Sequence, residues 1–253
     1  MRRFVDLHLR AQIKDLNQVE RMVKKSSELG YHLVGLVLPH YVVRDQINQL
    51  RRICDNAKID LITRVNISPK TPRELLRDLR RYRRKFEIVS VACTSKSVAR
   101  QAAKDRRVDL LHFSATDLRR RFFDHAEAEL ASKSLSSFEI EITPLLLLTG
   151  FSRIRLLSRL RKEAAIAERF KVPIIISSGA TSEDFVRGPY EHAALATLFD
   201  MSIPSALNAL SKNPLAVVER NREKLGPGYV APGIKVVERK SHVETGKKAL
   251  LGT

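Results

Sequence analysis

Hydrophobic and polar residues alternate without a break near the start of the chain: Val5, Leu7 and Leu9 against Asp6, His8 and Arg10. Side chains along a strand switch faces at every residue, so the stretch predicts a strand with one apolar and one polar face. In a barrel, its apolar side would lie under helices and its polar side would look toward the axis. The period then changes. From Asp15 to Gly30 the apolar residues Leu16, Val19, Val23 and Leu29 fall at roughly helical spacing, with Asp15 as a cap and Gly30 as a stop.

The same exchange of periods continues. His32–Leu38 reads as a strand, Val42–Ala57 as a helix and Ile59–Ile67 as a strand. Thr71–Lys85 is a helix opened by Pro72, with Leu75, Leu76 and Leu79 on one side and arginines on the other. Phe86–Ala92 and Val108–Phe113 read as strands around a short helix, Ser95–Asp105. Ala115–Phe123 suggests an arginine-rich helical turn and Asp124–Ser136 a helical excursion. Ser137–Thr143 alternates again, Phe138, Ile140 and Ile142 against Glu139 and Glu141. A long helix, Phe151–Lys171, leads to Pro173–Ser177, an apolar run of the kind found in buried parallel strands. Helices are then expected over Pro189–Phe199 and Pro204–Lys224.

About seven strands alternating with helices require parallel pairing with the helices outside. An open doubly wound sheet and a closed barrel both satisfy that. The polar faces of the first and sixth strands favour the barrel, because a sheet covered on both sides reads as uniformly apolar. No glycine-rich dinucleotide fingerprint follows the first strand. The expected organisation is one TIM-barrel-like α/β domain over residues 1–225 and a basic, loosely held tail over 226–253.

Charge changes the picture. The chain of 253 residues carries 46 Lys and Arg against 28 Asp and Glu, a net charge of +18. Such an excess repels itself in isolation and attracts polyanions, nucleic acid first. No apolar run reaches the roughly 18–20 residues needed to span a bilayer, and no amphipathic anchor stands apart from the core helices. The opening residues do not form a signal peptide. Cys54 and Cys93 show no metal-ligand spacing, which fits a reduced, cytoplasmic protein.

Two constellations carry candidate chemistry. The first is the barrel interior: Asp6, His8 and Arg10 from the first strand, Arg64 from the third, His112 from the fifth, Glu139 and Glu141 from the sixth. Histidines and carboxylates on several strands are what a hydrolytic metal site needs. Arginines in the same place point instead to an interior charge network, because a guanidinium cannot ligate a metal and competes for the carboxylates. The second is a basic exterior, from which Lys96, Arg100, Arg106, Arg107, Arg119, Arg120, Arg121, Arg153, Arg155 and Arg187 are candidate RNA contacts, joined by Arg10 and Arg64 of the first constellation. Aromatic interleaving is sparse and Trp is absent, so backbone and shape recognition fits better than base stacking. A Ser177-Ser178-Gly179-Ala180-Thr181 turn is a weaker anion-binding signal.

Several of these stretches, in this order and spacing, carry a resemblance: Phe4-Val5-Asp6-Leu7-His8-Leu9-Arg10-Ala11, Leu29-Gly30-Tyr31, Ile175-Ile176-Ser177-Ser178-Gly179-Ala180, Arg187-Gly188-Pro189-Tyr190 and Leu198-Phe199-Asp200-Met201-Ser202. Together they resemble the ribonuclease P protein component 3 family in its short archaeal form, over about residues 3–222. The resemblance implies a barrel akin to the polymerase-and-histidinol-phosphatase hydrolases. It also implies a non-catalytic, RNA-binding role in the ribonucleoprotein that removes the 5′ leader from precursor tRNA. Catalysis would belong to the ribonuclease P RNA with Mg²⁺; this chain would bind no cofactor or metal. Its partners would be that RNA, ribonuclease P component 2 and the other holoenzyme proteins. The chain departs from the hydrolase pattern: Arg10 stands where those enzymes resemble one another in a second metal-binding histidine, and Ser178-Gly179-Ala180-Thr181 lacks their Asp-Ala-His ligands. The alternatives are a stand-alone metal-dependent phosphoesterase using Asp6, His8, His112 and Glu139, and a scaffold whose basic charge meets an acidic protein surface.

Overall fold

A computed structural model describes residues 2–231 and 234–235. Strands and helices alternate from the start: β1 (Phe4–Leu9), α1 (Leu16–Glu28), β2 (Tyr31–Val37), α2 (Arg44–Asn56), β3 (Asp60–Ile67), α3 (Pro72–Tyr82), β4 (Ile88–Ala92), α4 (Lys96–Lys104) and β5 (Leu110–His112). There follow α5 (His125–Ser134), β6 (Ser137–Glu141), α6 (Thr143–Leu147), α7 (Gly150–Arg169), β7 (Ile174–Ser177), α8 (Pro189–Ala196), α9 (Ile203–Ala209) and α10 (Lys212–Leu225). The chemistry of the helix starts is local. Side chains of Asp15, Thr71, Ser95 and Asp124 accept amide hydrogens from the first turns of α1, α3, α4 and α5.

All seven strands are parallel and pair in sequence order. The sheet closes at one end only, where Leu9 bridges Ala180 and the Arg10 amide donates to the Ala180 carbonyl at 2.8 Å. Lower down, β1 turns instead to the helices: the Val5 amide donates to the Leu210 carbonyl at 2.9 Å. That carbonyl is free because α9 and α10 are separate helices, not the single Pro204–Lys224 helix expected. Pro214, in the first turn of α10, has no N–H to give to Leu210, and the chain breaks there.

The helix α10 closes the N-terminal end of the barrel. Its Val217 and Val218 pack with Val5, Leu7, Leu33, Ile62, Ile88, Leu110 and Ile175 in an inner apolar cluster. Each such burial contributes about 1.5–3 kcal/mol. A larger core lies between strands and outer helices; α3, for example, turns Leu75, Leu79 and Tyr82 inward and leaves Arg73, Arg77, Arg80 and Arg81 outside.

The orientation of β1 differs from expectation. Val5 and Leu7 face the barrel interior, not the helices. The pairing of β1 with β2 shifts register between Asp6 and Leu9, after which Leu9 joins the outer core and His8 turns inward. The strict alternation of the sequence hides that irregularity. Beyond α10 a short hairpin forms, β8 (Tyr229–Ala231) against β9 (Ile234–Lys235). The remainder of the tail expected to be loosely held lies outside the described residues.

Candidate functional site

Past the apolar plug, inward positions become polar. Alternation along β3 places Arg64 and Asn66 above Ile62; β6 contributes Glu139 and Glu141, β5 His112 and β7 Ser177. Arg64 and Glu139 are both fully buried and form a two-point pair, Nη1 to Oε1 at 2.5 Å and Nη2 to Oε2 at 2.7 Å. The guanidinium also donates to the Leu7 carbonyl at 3.0 Å and to Asn66 Oδ1 at 2.7 Å, and Ser177 donates to Glu139 at 2.7 Å. Gly35 is required in this layer: a Cβ there would stand 2.4 Å from the Leu7 carbonyl oxygen.

One layer up, Glu141 receives a hydrogen bond from Arg10, and His8 Nδ1 lies 2.8 Å from the same carboxylate oxygen. His8 Nε2 accepts from Arg10 Nε at 3.2 Å and stands 3.0 Å from Asn66 Nδ2. That nitrogen's lone pair is therefore taken by Arg10. His112 Nδ1 sits 3.6 Å from Glu141 and 3.8 Å from Glu139. Burial pushes the Glu139 carboxyl up, but Arg64 with His8 beside it prevails and holds it well below the usual carboxylate range. At Glu141 burial is likewise overcome, by His8, His112 and Arg10. Burial also lowers His112, against the pull of the two glutamates, so the ring favours its neutral form. Among the described residues no three His, Cys, Asp or Glu side chains are grouped so as to hold a metal ion.

Asp6 belongs elsewhere, which corrects its place in the expected interior network. Standing between the inward Val5 and Leu7, it occupies the opposite face of β1, in the field of Tyr31 and His192. Its Oδ1 accepts the amides of His8 (3.1 Å) and Ser178 (3.0 Å). The Ser178 hydroxyl is spent on the His8 carbonyl at 3.2 Å. The 177–181 turn thus closes the barrel against β1, and the amide and hydroxyl of Ser178 are not free for an anion.

The candidate RNA contacts divide by geometry. Arg64 and Arg121 are corrected: both are buried, Arg121 against Glu163 and the Phe113 carbonyl (3.0 Å), so neither guanidinium can reach a phosphate outside. Arg10, Arg100, Arg107 and Arg120 are tied to carboxylates, Arg100 through two 2.7 Å bonds to Asp124 and Arg107 through one of 2.7 Å to Asp105. Arg153 and Arg187 hold backbone carbonyls, of Leu148 and Asp184 respectively. Lys96, Arg106, Arg119 and Arg155 are exposed, and among the described residues no ion pair engages them. Sequence reasoning omitted Asn66 and Ser177 from the interior, although both sit two residues from a neighbour on the same inward face (Arg64 and Ile175), and that spacing was the available signal.

The profile of the family described as RNase P subunit p30 matches residues 3–225, nearly the whole barrel. The chain belongs to this family. It is a protein subunit of the ribonuclease P holoenzyme, an endoribonuclease. Ribonuclease P protein component 3 of Methanosarcina mazei is 29% identical over 236 residues, 93% of this chain and 96% of that one. The counterpart from Methanosarcina acetivorans is 32% identical over 69% of this chain and 72% of its own. In three dimensions the chain resembles one in a cryo-electron-microscopy structure of archaeal ribonuclease P with mature tRNA, with a TM-score of 0.78 at 20% identity, covering 93% of this chain and 99% of that one. A solved amidohydrolase shares the barrel at a TM-score of 0.52 and 10% identity, over 88% of this chain and 75% of its own. These two likenesses concern the fold.

Proposed function

We propose that this member of the p30 family is an RNA-binding scaffold for tRNA processing and performs no bond cleavage itself. One observation carries the reading: at the polar end of the barrel, Arg10 occupies His8 Nε2 and Glu141, and Arg64 occupies Glu139. A divalent ion would have to displace two permanent cations to gain those ligands. Removal of the 5′ leader from precursor tRNA is then the work of the ribonuclease P RNA with its Mg²⁺. Component 2 and the other holoenzyme proteins are the protein partners. No helix of the described residues is long and apolar enough to cross a membrane, and we place the action in the cytoplasm.

Reconstitution tests this. Precursor-tRNA cleavage is measured with the RNA and component 2, with and without this chain. The expected outcome is cleavage that needs the RNA and rises when the chain is added, with none from the chain alone. A folded His8→Gln variant should support cleavage at the wild-type rate. Hydrolysis of a phosphoester by the isolated chain, lost in His8→Gln, would reverse the conclusion.

A further inference from the structure

The N-terminal end of the barrel, opposite the paired centre, holds a second concentration of charge. A cleft of about 470 Å³ is lined by Arg83 and Arg84 at the end of α3, Arg106 and Arg107 in the turn before β5, Lys224 in the last turn of α10, and Tyr229 of the hairpin. Four separate segments converge on one space. The floor is fixed. Arg83 donates to Asp109 and to the carbonyls of Phe86 (2.9 Å) and Glu87 (2.8 Å), and Asn221 donates to Asp109 at 2.8 Å. Carboxylates run short at the rim: Asp109 is shared by Arg83 and Arg220, and Asp105 is taken by Arg107. Among the described residues no ion pair engages Arg84, Arg106 or Lys224.

A cation near a helix C-terminus complements the macrodipole, which accounts for Lys224 and Arg83 singly. It does not account for Arg106 in a turn, nor for the convergence. The cluster is self-repelling: burial lowers the Lys224 ammonium, and Arg220, Arg83 and Arg106 lower it further, against Asp109 alone. An anion in the cleft relieves that repulsion. The cleft lies within the roughly 300–1,000 Å³ range of ligand sites and exceeds what one inorganic ion fills. Among the described residues Leu225 and Tyr229 are its only large apolar liners, too little for the apolar centre of a protein interface. Arginine forks suit phosphate oxygens, and the Tyr229 ring offers a surface for a base.

We propose that this cleft binds the phosphodiester backbone of RNA, with Arg84, Arg106 and Lys224 as the contacting cations on a floor set by Arg83, Asp109 and Asn221. The assignment rests on the scaffold reading and locates part of its RNA contact on the face away from the paired arginines and glutamates.

The test uses the full chain and ribonuclease P RNA, titrated over a series of salt concentrations, with wild type and an Arg106→Ala/Lys224→Ala double variant. Both side chains are exposed, and melting of the variant checks its fold. Loss of two phosphate contacts should weaken binding about tenfold or more and reduce the log–log salt slope by about 1.4–1.8. Unchanged affinity and slope in a folded variant overturn the cleft assignment while leaving the scaffold reading intact. Failure of the wild type to bind RNA removes the scaffold reading itself. Two further arms separate other occupants: stabilisation of the wild type but not the variant by inorganic phosphate, with RNA binding unchanged, makes this a small-anion site and overturns the proposal. So does loss of component 2 association in the variant with RNA binding unchanged.

Discussion

The two ends of the barrel are both rich in charge and treat it in opposite ways. At the C-terminal end Arg64 and Glu139 pair in a closed space, and Glu141 above them pairs with Arg10, whose side chain reaches solvent at the mouth. At the N-terminal end α10 fills the interior with Val217 and Val218 and sends Arg220, Asn221 and Arg222 outward to Asp109, Glu87 and Asp60 around the rim. Burial forces Arg64 and Glu139 toward neutrality, because an unpaired charge there has no water to turn to. In the second set Asn221 and Asp109 are buried, but Arg220, Arg222 and Asp60 meet solvent, where surplus cations are tolerated. A net charge of +18 therefore says little about where a polyanion binds until the paired arginines are set aside.

The largest expected effect breaks the inner pair. Arg64→Met leaves Glu139 charged and buried, with hydroxyls and the rings of His8 and His112 near it but no guanidinium, and should cost about 3–5 kcal/mol in urea unfolding. Adding Glu139→Leu should recover much of that loss. A loss under about 1 kcal/mol for Arg64→Met would sink the idea that this end depends on neutralisation. Next in size is Gly35→Ala, whose methyl meets the Leu7 carbonyl at 2.4 Å. Overpacking should cost about 1–3 kcal/mol or more, read as a lowered melting temperature.

The strand-and-helix order was legible because each element keeps its own period, and of the polar faces on the first and sixth strands from which the barrel was inferred, that of the sixth lies inward as expected. The β1 faces were not legible: a register shift between Asp6 and Leu9 depends on what β2 and β7 offer, which no local pattern records. The α9–α10 break was present in the chain as Pro214 but was read through as part of one long amphipathic run. Arg121 was read as a surface arginine, and Arg64, though placed in the interior, was also offered as an RNA contact, because a buried guanidinium looks the same in sequence until its glutamate is found 42 or 75 residues away. The interior pairs were nevertheless partly foreseeable, since Arg64 and Glu139 both alternate with apolar neighbours on predicted strands.

A case between the two ends is Glu127. It is buried, its Arg100 partner is shared with Asp124, and its Oε1 has no hydrogen-bond partner. Burial pushes its carboxyl up from 4.5 to about 8. The folded value exceeds the unfolded one, so between those pH values the folded state holds the extra proton and this group's contribution to stability falls as pH rises. Glu127→Gln should remove that slope and stabilise the protein at the alkaline end by on the order of 1–2 kcal/mol. Parallel stability–pH curves for variant and wild type would show that Arg100 neutralises the carboxylate fully.

The smallest effect belongs to the rim. Arg222 bonds Asp60 at 2.5 and 2.9 Å, Glu87 at 2.6 Å and the Leu61 carbonyl at 3.0 Å. Yet the Arg222 and Asp60 side chains are 36% and 41% exposed, and water can replace what the guanidinium gives up. Arg222→Ala should therefore cost about 1 kcal/mol or less. Salt sharpens the contrast, because screening reaches exposed pairs and not buried ones. Unfolding in low and high salt should shrink the Arg222→Ala effect and leave that of Arg64→Met unchanged. Equal salt sensitivity at both sites would mean that water enters the barrel end as freely as the rim, and the distinction between paired interior and solvated exterior would fail.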